Sequence, residues 1–146
     1  MVAAKIKHDC KIELNDAQLR ATPARIALMK LFESAQKPLD VQSMIEHLAK
    51  IGIKTDPATV FRIMNTFTQK GITKQVQFQE GKFRYELAGG QDHHHLVCTV
   101  CGDIEDISDC NISALEKEIE KRKGFVVVNH ALEFYGICRN CSIKQN

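Results

Sequence analysis

Residues 92–101 read Asp-His-His-His-Leu-Val-Cys-Thr-Val-Cys, and the organisation of the chain follows from this stretch. It holds three of the six histidines and two of the six cysteines of the 146-residue chain, and a second Cys-x-x-Cys pair follows at Cys138 and Cys141. A Cys-x-x-Cys turn lets two thiolates grip one ion, and two such turns supply the four ligands of a tetrahedral zinc site. The sequence therefore predicts a closed structural zinc site formed by Cys98, Cys101, Cys138 and Cys141. The alternative is one or two redox-active dithiols, although no thioredoxin-like βαβ pattern surrounds either pair.

The histidines beside the first cysteine pair predict further metal binding. Side chains alternate between faces in an extended segment, so His93 and His95 point one way while Asp92 and His94 point the other. One stretch can therefore supply two separate sites. The donors that could complete them are Glu86 and Asp106 for the first face and His130 for the second.

Charge divides the chain into two unlike parts. Residues 1–85 hold 14 Lys/Arg against 8 Asp/Glu, a net charge of +6, whereas residues 86–146 hold 6 against 10, a net charge of −4. The basic part suits a polyanion and the acidic, Cys- and His-rich part suits cations, with chance asymmetry of a solvated surface as the alternative. No apolar run approaches the ~20 residues of a membrane helix, and we expect a cytoplasmic protein without membrane contact. Paired cysteines in the cytoplasm are more often metal ligands than disulfides.

Repeated cap signals predict a helical N-terminal part. Thr22-Pro23, Asp40 and Asp56-Pro57 each precede an apolar stripe, which predicts helices over 23–34, 41–52 and 57–70. A β-hairpin over 72–78 and 83–87 follows. Residues 1–14 are predicted as an arm or a short helix, with Asn15-Asp16 capping a turn over 17–20. Three helices and a two-stranded wing predict a winged helix-turn-helix, with a generic three-helix bundle as the alternative.

The helix over 57–70 would then read a DNA major groove. Phe61 and Arg62 lie outside the apolar stripe of this helix, and Thr59 lies in its first turns. An exposed Phe can contact a thymine methyl group, and Arg can pair with guanine or a phosphate. Arg20 could grip a flanking phosphate. A purely structural role for Phe61 stays open at this point.

The C-terminal part is predicted as a small α/β domain. Residues 88–91 are the linker, followed by strands over 95–100 and 104–107, a helix over 111–123, and two more strands. Those last strands are predicted over 125–128 and 131–137. The fold class is thus α+β, with a winged-helix domain over 1–87 and a dimerisation and metal-binding domain over 92–146. A domain this small needs a metal or a dimer interface for stability.

Four blocks of the chain resemble the ferric uptake regulator family of metal-sensing bacterial repressors. The blocks are Arg20-Ala-Thr-Pro-Ala-Arg25, Ala58-Thr-Val-Phe-Arg-Ile-Met-Asn65, the run from His93 to Gly102, and Asn129-His130 leading to Cys138. Their ordered combination is specific, although no single block would suffice. The resemblance implies a homodimer that grips a palindromic operator in double-stranded DNA when its regulatory metal is bound.

The resemblance also implies which residues form each metal site. The four paired cysteines match a structural Zn²⁺ site. The hinge sensing site matches Glu86, His93, His95 and Asp106, and an additional site matches Asp92, His94 and His130. For the regulatory metal Fe²⁺ is the first expectation, and zinc, manganese or peroxide sensing are the alternatives.

Three positions depart from the family pattern. Pro38 stands where the hinge site often has a histidine, so His8 or Cys10 could replace that ligand, or the site has fewer ligands. Ser113 stands where the additional site has a helix glutamate, for which Glu116 is a substitute. Phe61 stands where tyrosine is common, so a hydroxyl contact is lost.

Two other classes of function compete with a DNA-binding regulator. A zinc enzyme needs an open metal position and a general base, and neither His-x-Glu with Pro-Cys-x-x-Cys nor His-Glu-x-x-His occurs. The second rival is a metal-stapled protein-interaction module without DNA binding. Loss of DNA binding on Arg62→Ala would separate it from a regulator.

Overall fold

The computed structural model describes residues 9–90, 92–108 and 110–144. The chain divides into two compact units, Met1–Gly89 and Gly90–Asn146, with the boundary inside the predicted linker. None of the helices in the described ranges is long and apolar enough to cross a membrane.

Within its described residues, the first unit holds four helices and a small antiparallel sheet. Strand order in that sheet is β1-β3-β2, and β2 and β3 form the predicted wing. In chain order the elements are α1 Cys10–Asp16, α2 Pro23–Ser34, β1 Leu39–Asp40, α3 Val41–Lys50, α4 Pro57–Gln69, β2 Thr73–Gln77 and β3 Phe83–Leu87.

Side-chain caps begin the three predicted helices where the sequence placed them. Thr22 accepts from the amide of Arg25, and prolines occupy the first turns of α2 and α4. Asp40 and Asp56 cap α3 and α4 in the same way, through the amides two or three residues into each helix. These local contacts satisfy amides that have no partner inside the helix, so they fix its start.

The start of the chain corrects one prediction. Asn15-Asp16 does not cap a turn, because these residues end α1, which Asp9 caps by accepting from the amides of Lys11 and Ile12. Residues 17–20 form no helix. The part of the predicted arm over 1–8 lies outside the described residues.

One apolar face of α4 fixes its orientation in the first unit. The buried side chains on this face pack with α2, α3 and Tyr85 of β3 in one core cluster. Burying each such side chain stabilises the fold by roughly 1.5–3 kcal/mol, so rotation of α4 about its axis would be costly. The members of this face are Val60, Ile63, Met64 and Phe67.

Strand β1 was not predicted from the sequence. It connects α3 to the wing. Leu39 and Asp40 pair with Tyr85 and Arg84 of β3, and the guanidinium of Arg84 donates to the carbonyl of Pro38 at 3.2 Å. Lys82 Nζ lies 2.6 Å from Asp40 Oδ2. Burial raises the pKa of Asp40, but hydrogen bonds from Lys82 and Ser43 outweigh it and lower the pKa to about 2.

In the part that the structure describes, the second unit contains a three-stranded sheet and two helices. Strand order is β5-β4-β6, with β4 antiparallel to β5 and parallel to β6. The elements are β4 His94–Cys98, β5 Ile104–Ile107, α5 Ile112–Lys123, β6 Glu133–Gly136 and α6 Arg139–Lys144. Gly124 ends α5 in the left-handed conformation, which favours glycine at this position.

Two predictions for the second unit were wrong. Residues 125–128 form no strand, because they pair with none of β4, β5 and β6, and Val128 is 92% exposed. The strand predicted over 131–137 is shorter in the structure, where it is β6. The sequence also missed α6, in which the second cysteine pair begins a short helix.

Candidate metal centres

The four paired cysteines meet in one cluster. Their Sγ atoms all lie within 4.8 Å of one another, and Cys101 Sγ is 3.8 Å from Cys138 Sγ. A tetrahedral zinc with Zn–S bonds of ~2.3 Å holds its sulfurs about 3.8 Å apart. Both the donor set and the spacing therefore fit a zinc ion, and four protein ligands leave no position for a substrate or an activated water.

Backbone geometry places the sulfurs. Cys98 ends β4, and its carbonyl accepts from the amide of Gly102 at 2.9 Å, which closes the first turn. Gly102 has φ of +74°, which favours glycine at this position. The second pair lies at α6, and the amide of Cys138 donates to Cys98 Sγ at 3.3 Å.

Hydrogen bonds and burial shift the pKa values of two thiols in the cluster in opposite directions. Amides of Cys101 and Cys138 donate to Cys98 and lower its pKa to about 6, despite the burial of this thiol. The hydrogen bond shared with Cys138, together with burial, raises the pKa of Cys141 to about 12. Cys98 therefore loses its proton before Cys141, and a metal that binds Cys141 must displace the proton of that thiol.

The two outer histidines of the run share one side of the chain, as the alternation predicts. The ring centroids of His93 and His95 lie 5.0 Å apart in an edge-to-face arrangement. His95 is buried and pairs across the sheet with Asp106, with 3.7 Å between His95 Nε2 and Asp106 Oδ1. Two imidazoles and a carboxylate form a nitrogen and oxygen donor set that suits Fe²⁺, Mn²⁺ or Zn²⁺.

Glu86 lies on β3, in the first unit. Its carboxylate forms an ion pair with Lys74, its partner across the hairpin, at 3.1 Å. Pro38 directly precedes β1, and continuing the register of Leu39 with Tyr85 brings Pro38 beside Glu86. The contact of Lys74 with Glu86 was not predicted from the sequence, because it depends on the register of the hairpin.

The central histidine belongs to a different cluster. His94 Nε2 lies 3.0 Å from His130 Nε2, and His130 Nδ1 lies 2.8 Å from Glu116 Oε1. His94 Nδ1 is buried without a hydrogen-bond partner among the described residues. Asp92 is exposed and makes no polar contact with His94 or His130 within the described part of the chain.

This geometry changes the part expected of Glu116. The carboxylate holds His130 from the nitrogen opposite His94, so it does not converge with His94 on one point. A carboxylate behind a histidine fixes the ring's orientation and its tautomer. Glu116 is therefore placed to orient His130 rather than to replace a ligand at Ser113.

Cys10 and Cys110 belong to neither group of candidate metal ligands in the described part of the chain. Cys10 is buried in the first unit, where its thiol donates to Glu33 Oε1 at 3.6 Å, and burial raises its pKa. Cys110 is half-buried just before α5. His8 lies outside the described residues.

The predicted DNA-contacting side chains lie on the open face of α4 and near its neighbour α2. Phe61 is 42% exposed and lies outside the core cluster, and Arg62 is exposed and donates to Thr59 Oγ1 at 3.3 Å. Arg20 is exposed, and its carbonyl accepts from Arg25 Nη1 at 3.0 Å. The position of Phe61 therefore does not support a purely structural role for it in the core.

Comparison with known proteins identifies the group to which this fold and these clusters belong. The sequence model of the ferric uptake regulator family matches residues 16–135, more than half of the chain. The chain belongs to the ferric uptake regulator family. Within that family, the ferric uptake regulation protein of Neisseria meningitidis is 35% identical over 133 residues, which cover 90% of this chain and 92% of that protein.

Solved structures of family members have the same fold. The Vibrio cholerae ferric uptake regulator aligns with a TM-score of 0.78 and 31% identity, covering 89% of this chain and all of that one. The Campylobacter jejuni peroxide stress regulator aligns with a TM-score of 0.68 and 25% identity, covering 90% and 95%.

Membership in the ferric uptake regulator family settles the class of the protein. Its first unit is the family's helical DNA-binding domain, and its second is the α/β dimerisation domain. The chain is a metal-responsive, DNA-binding transcriptional regulator with a four-cysteine cluster of zinc-site composition, and not an enzyme. Both rival classes are therefore excluded.

Proposed function

We propose that this protein is an iron-responsive repressor that controls metal-homeostasis genes in the cytoplasm. Fe²⁺ would bind Glu86, His93, His95 and Asp106, and the homodimer would then grip a palindromic operator. The observation that carries the proposal is the thiol-free donor set of His93, His95 and Asp106, since all four paired cysteines are gathered elsewhere. Nitrogen and oxygen donors suit Fe²⁺, with Mn²⁺ and Zn²⁺ as the alternatives.

The proposed mechanism is thermodynamic linkage between two sites. Glu86 belongs to the first unit and the other three donors to the second, so their sharing of one ion couples the two units. The ion supplies a common positive centre for donors from both. Such coupling favours the arrangement in which two recognition helices lie about one DNA turn apart.

On the DNA side, α4 would enter the major groove. Its open face offers Arg62 for a guanine or a phosphate and Phe61 for a thymine methyl group. Thr59 holds the guanidinium of Arg62, and Arg20 would contact the flanking backbone. The net charge of +6 over residues 1–85 supports the assignment of DNA binding to this part of the chain.

The remaining clusters have separate roles in this proposal. The four cysteines would hold a structural Zn²⁺ that pins α6 to the end of β4. His94 and His130 would form the additional metal site with Asp92. Ligand spacing supports the zinc assignment, and the 3.0 Å between the two Nε2 atoms supports the additional one.

The experiment that tests the proposal compares metals. Zinc-loaded protein is titrated anaerobically with Fe²⁺, Mn²⁺ or Zn²⁺, and its affinity is measured for an operator selected from random duplexes. We expect Fe²⁺ to restore tight binding. Restoration by Zn²⁺ alone would mean zinc sensing, and loss of binding by the Fe²⁺ form after brief peroxide exposure would mean peroxide sensing.

A further inference from the structure

We propose that Lys74 competes with the regulatory metal for Glu86, and so sets the metal concentration at which the hinge site fills. This inference rests on the proposed function, because it takes Glu86 as a ligand of that site. Lys74 would not itself contact the ion. It would act through the carboxylate that it shares with the ion.

The contact that carries the inference lies within the wing. Lys74 and Glu86 are direct partners across β2 and β3, with 3.1 Å between Lys74 Nζ and Glu86 Oε1. The Glu86 side chain is 12% exposed, whereas that of Lys74 is 44% exposed. The carboxylate is thus nearly enclosed, and the ammonium group reaches it from the solvent side.

This ion pair is better suited to adjusting the affinity for the metal than to stabilising the fold. Ion pairs that are open to solvent contribute little to folding, because water and salt screen them. The other lysine pair of the wing is different, since Asp40 also caps α3 while it binds Lys82. Glu86 lies inside β3 and begins no helix.

The strength of this ion pair sets the size of the expected effect. A metal that takes Glu86 must break its partly exposed ion pair with Lys74, which weakens binding of the metal by up to about fivefold. Lys74 can swing towards solvent, so it raises the dissociation constant of the metal without preventing binding. The hinge site then fills only at a higher free-metal concentration than its donors alone would require.

The test measures metal binding directly, without DNA. Zinc-loaded protein is titrated with Mn²⁺, and the unbound Mn²⁺ is followed by its electron paramagnetic resonance signal. We expect Lys74→Gln to tighten Mn²⁺ binding by about two- to fivefold. Lys74→Arg keeps the charge and should bind Mn²⁺ as the unaltered protein does. Lys70→Gln, an exposed position after α4 with the same change in net charge, is the matched control and should change nothing.

A double-mutant cycle with Glu86→Gln separates this inference from the proposed function. We expect Glu86→Gln to weaken Mn²⁺ binding and to abolish the effect of Lys74→Gln. If Glu86→Gln leaves Mn²⁺ affinity unchanged, the proposed hinge site is wrong, and the role of Lys74 with it. If Glu86→Gln weakens binding but Lys74→Gln does not tighten it, only the inference about Lys74 is overturned. An equal effect of Lys74→Gln with and without Glu86 would also overturn it.

Discussion

At the scale of single residues, the cysteine cluster combines a thiol with a lowered pKa and a thiol with a raised pKa. Backbone amides stabilise the thiolate of Cys98, with a pKa of about 6, while the proton shared with Cys138 raises the pKa of Cys141 to about 12. A metal ion resolves this conflict, because it stabilises all four thiolates together.

Replacing one cysteine of the cluster should therefore release the zinc. For Cys101→Ser we expect the bound zinc, measured by atomic emission, to fall from about one ion per chain to nearly none. Amide hydrogen exchange should accelerate in residues 92–144, while the core of the first unit stays protected. Cys110→Ser is the control, since Cys110 lies outside the cluster. Full zinc content in Cys101→Ser would contradict the assignment.

A second prediction at this scale concerns Arg62. Its guanidinium lies exposed on α4 beside Thr59, so Arg62→Ala should leave the helix content unchanged. We expect operator affinity to fall by about tenfold or more, as for the loss of one Arg contact to a base. Arg122→Ala removes the same charge from an exposed position on α5 and should have little effect. Equal losses in the two variants, measured by fluorescence anisotropy, would contradict the predicted interface.

At the scale of elements, Asp40 joins a helix to the wing. It caps α3 through the amide of Ser43 and binds Lys82 of the wing. Its pKa in the folded protein, about 2, lies below the ordinary value of 3.8. This ionised carboxylate therefore stabilises the fold above pH ~4, and the stabilisation is lost as the pH falls towards 2.

Asp40→Asn should reveal this contribution, because Asn still caps a helix but cannot pair with Lys82. We expect the free energy of unfolding of the full chain in urea, followed by circular dichroism, to fall by about 2 kcal/mol near neutral pH. The difference between the two proteins should shrink as the pH drops below about 4. A difference that stays constant over this range would show that the ion pair contributes nothing.

Pro38 offers a further prediction at this scale. The register of β1 with β3 brings position 38 beside Glu86, so Pro38→His would add an imidazole next to a proposed ligand. We expect Mn²⁺ to bind more tightly, by about tenfold, because one more nitrogen donor enters the site. Pro38→Ala separates this gain from the loss of the proline ring. Equal affinities for the His and Ala variants would contradict the placement.

The elements show which parts of the fold a sequence can predict. The starts of α2 and α4 were predictable because Thr22 and Asp56 act on amides within their own turn. Strand β1 was not, since its two residues form a strand only by pairing with β3. Residues 125–128 carry strand-forming side chains but pair with no strand of the described sheets, and propensity alone does not supply a partner.

The same division holds for the candidate sites. The cysteines were predictable because each pair is a local turn, and the faces of His93 to His95 follow from alternation along an extended chain. The contact of Lys74 with Glu86 and the position of Glu116 behind His130 depend on hairpin register and helix orientation. These are properties of the folded units that residue spacing does not report.

At the scale of the whole molecule, two units of opposite charge carry different tasks. The first is basic and presents α4, and the second is acidic and holds the cysteine and histidine clusters. The central claim is that a regulatory metal, distinct from the ion in the cysteine cluster, controls DNA affinity. Coupling between two such sites typically changes affinity by about 5- to 150-fold.

The most direct measurement of this claim is operator affinity before and after a mild chelator removes the regulatory metal, with bound zinc determined in the same samples. We expect operator affinity to fall by at least about fivefold while zinc remains bound, and we expect added Fe²⁺ to restore it. Unchanged operator affinity after removal of the regulatory metal, with zinc still in place, would contradict the account.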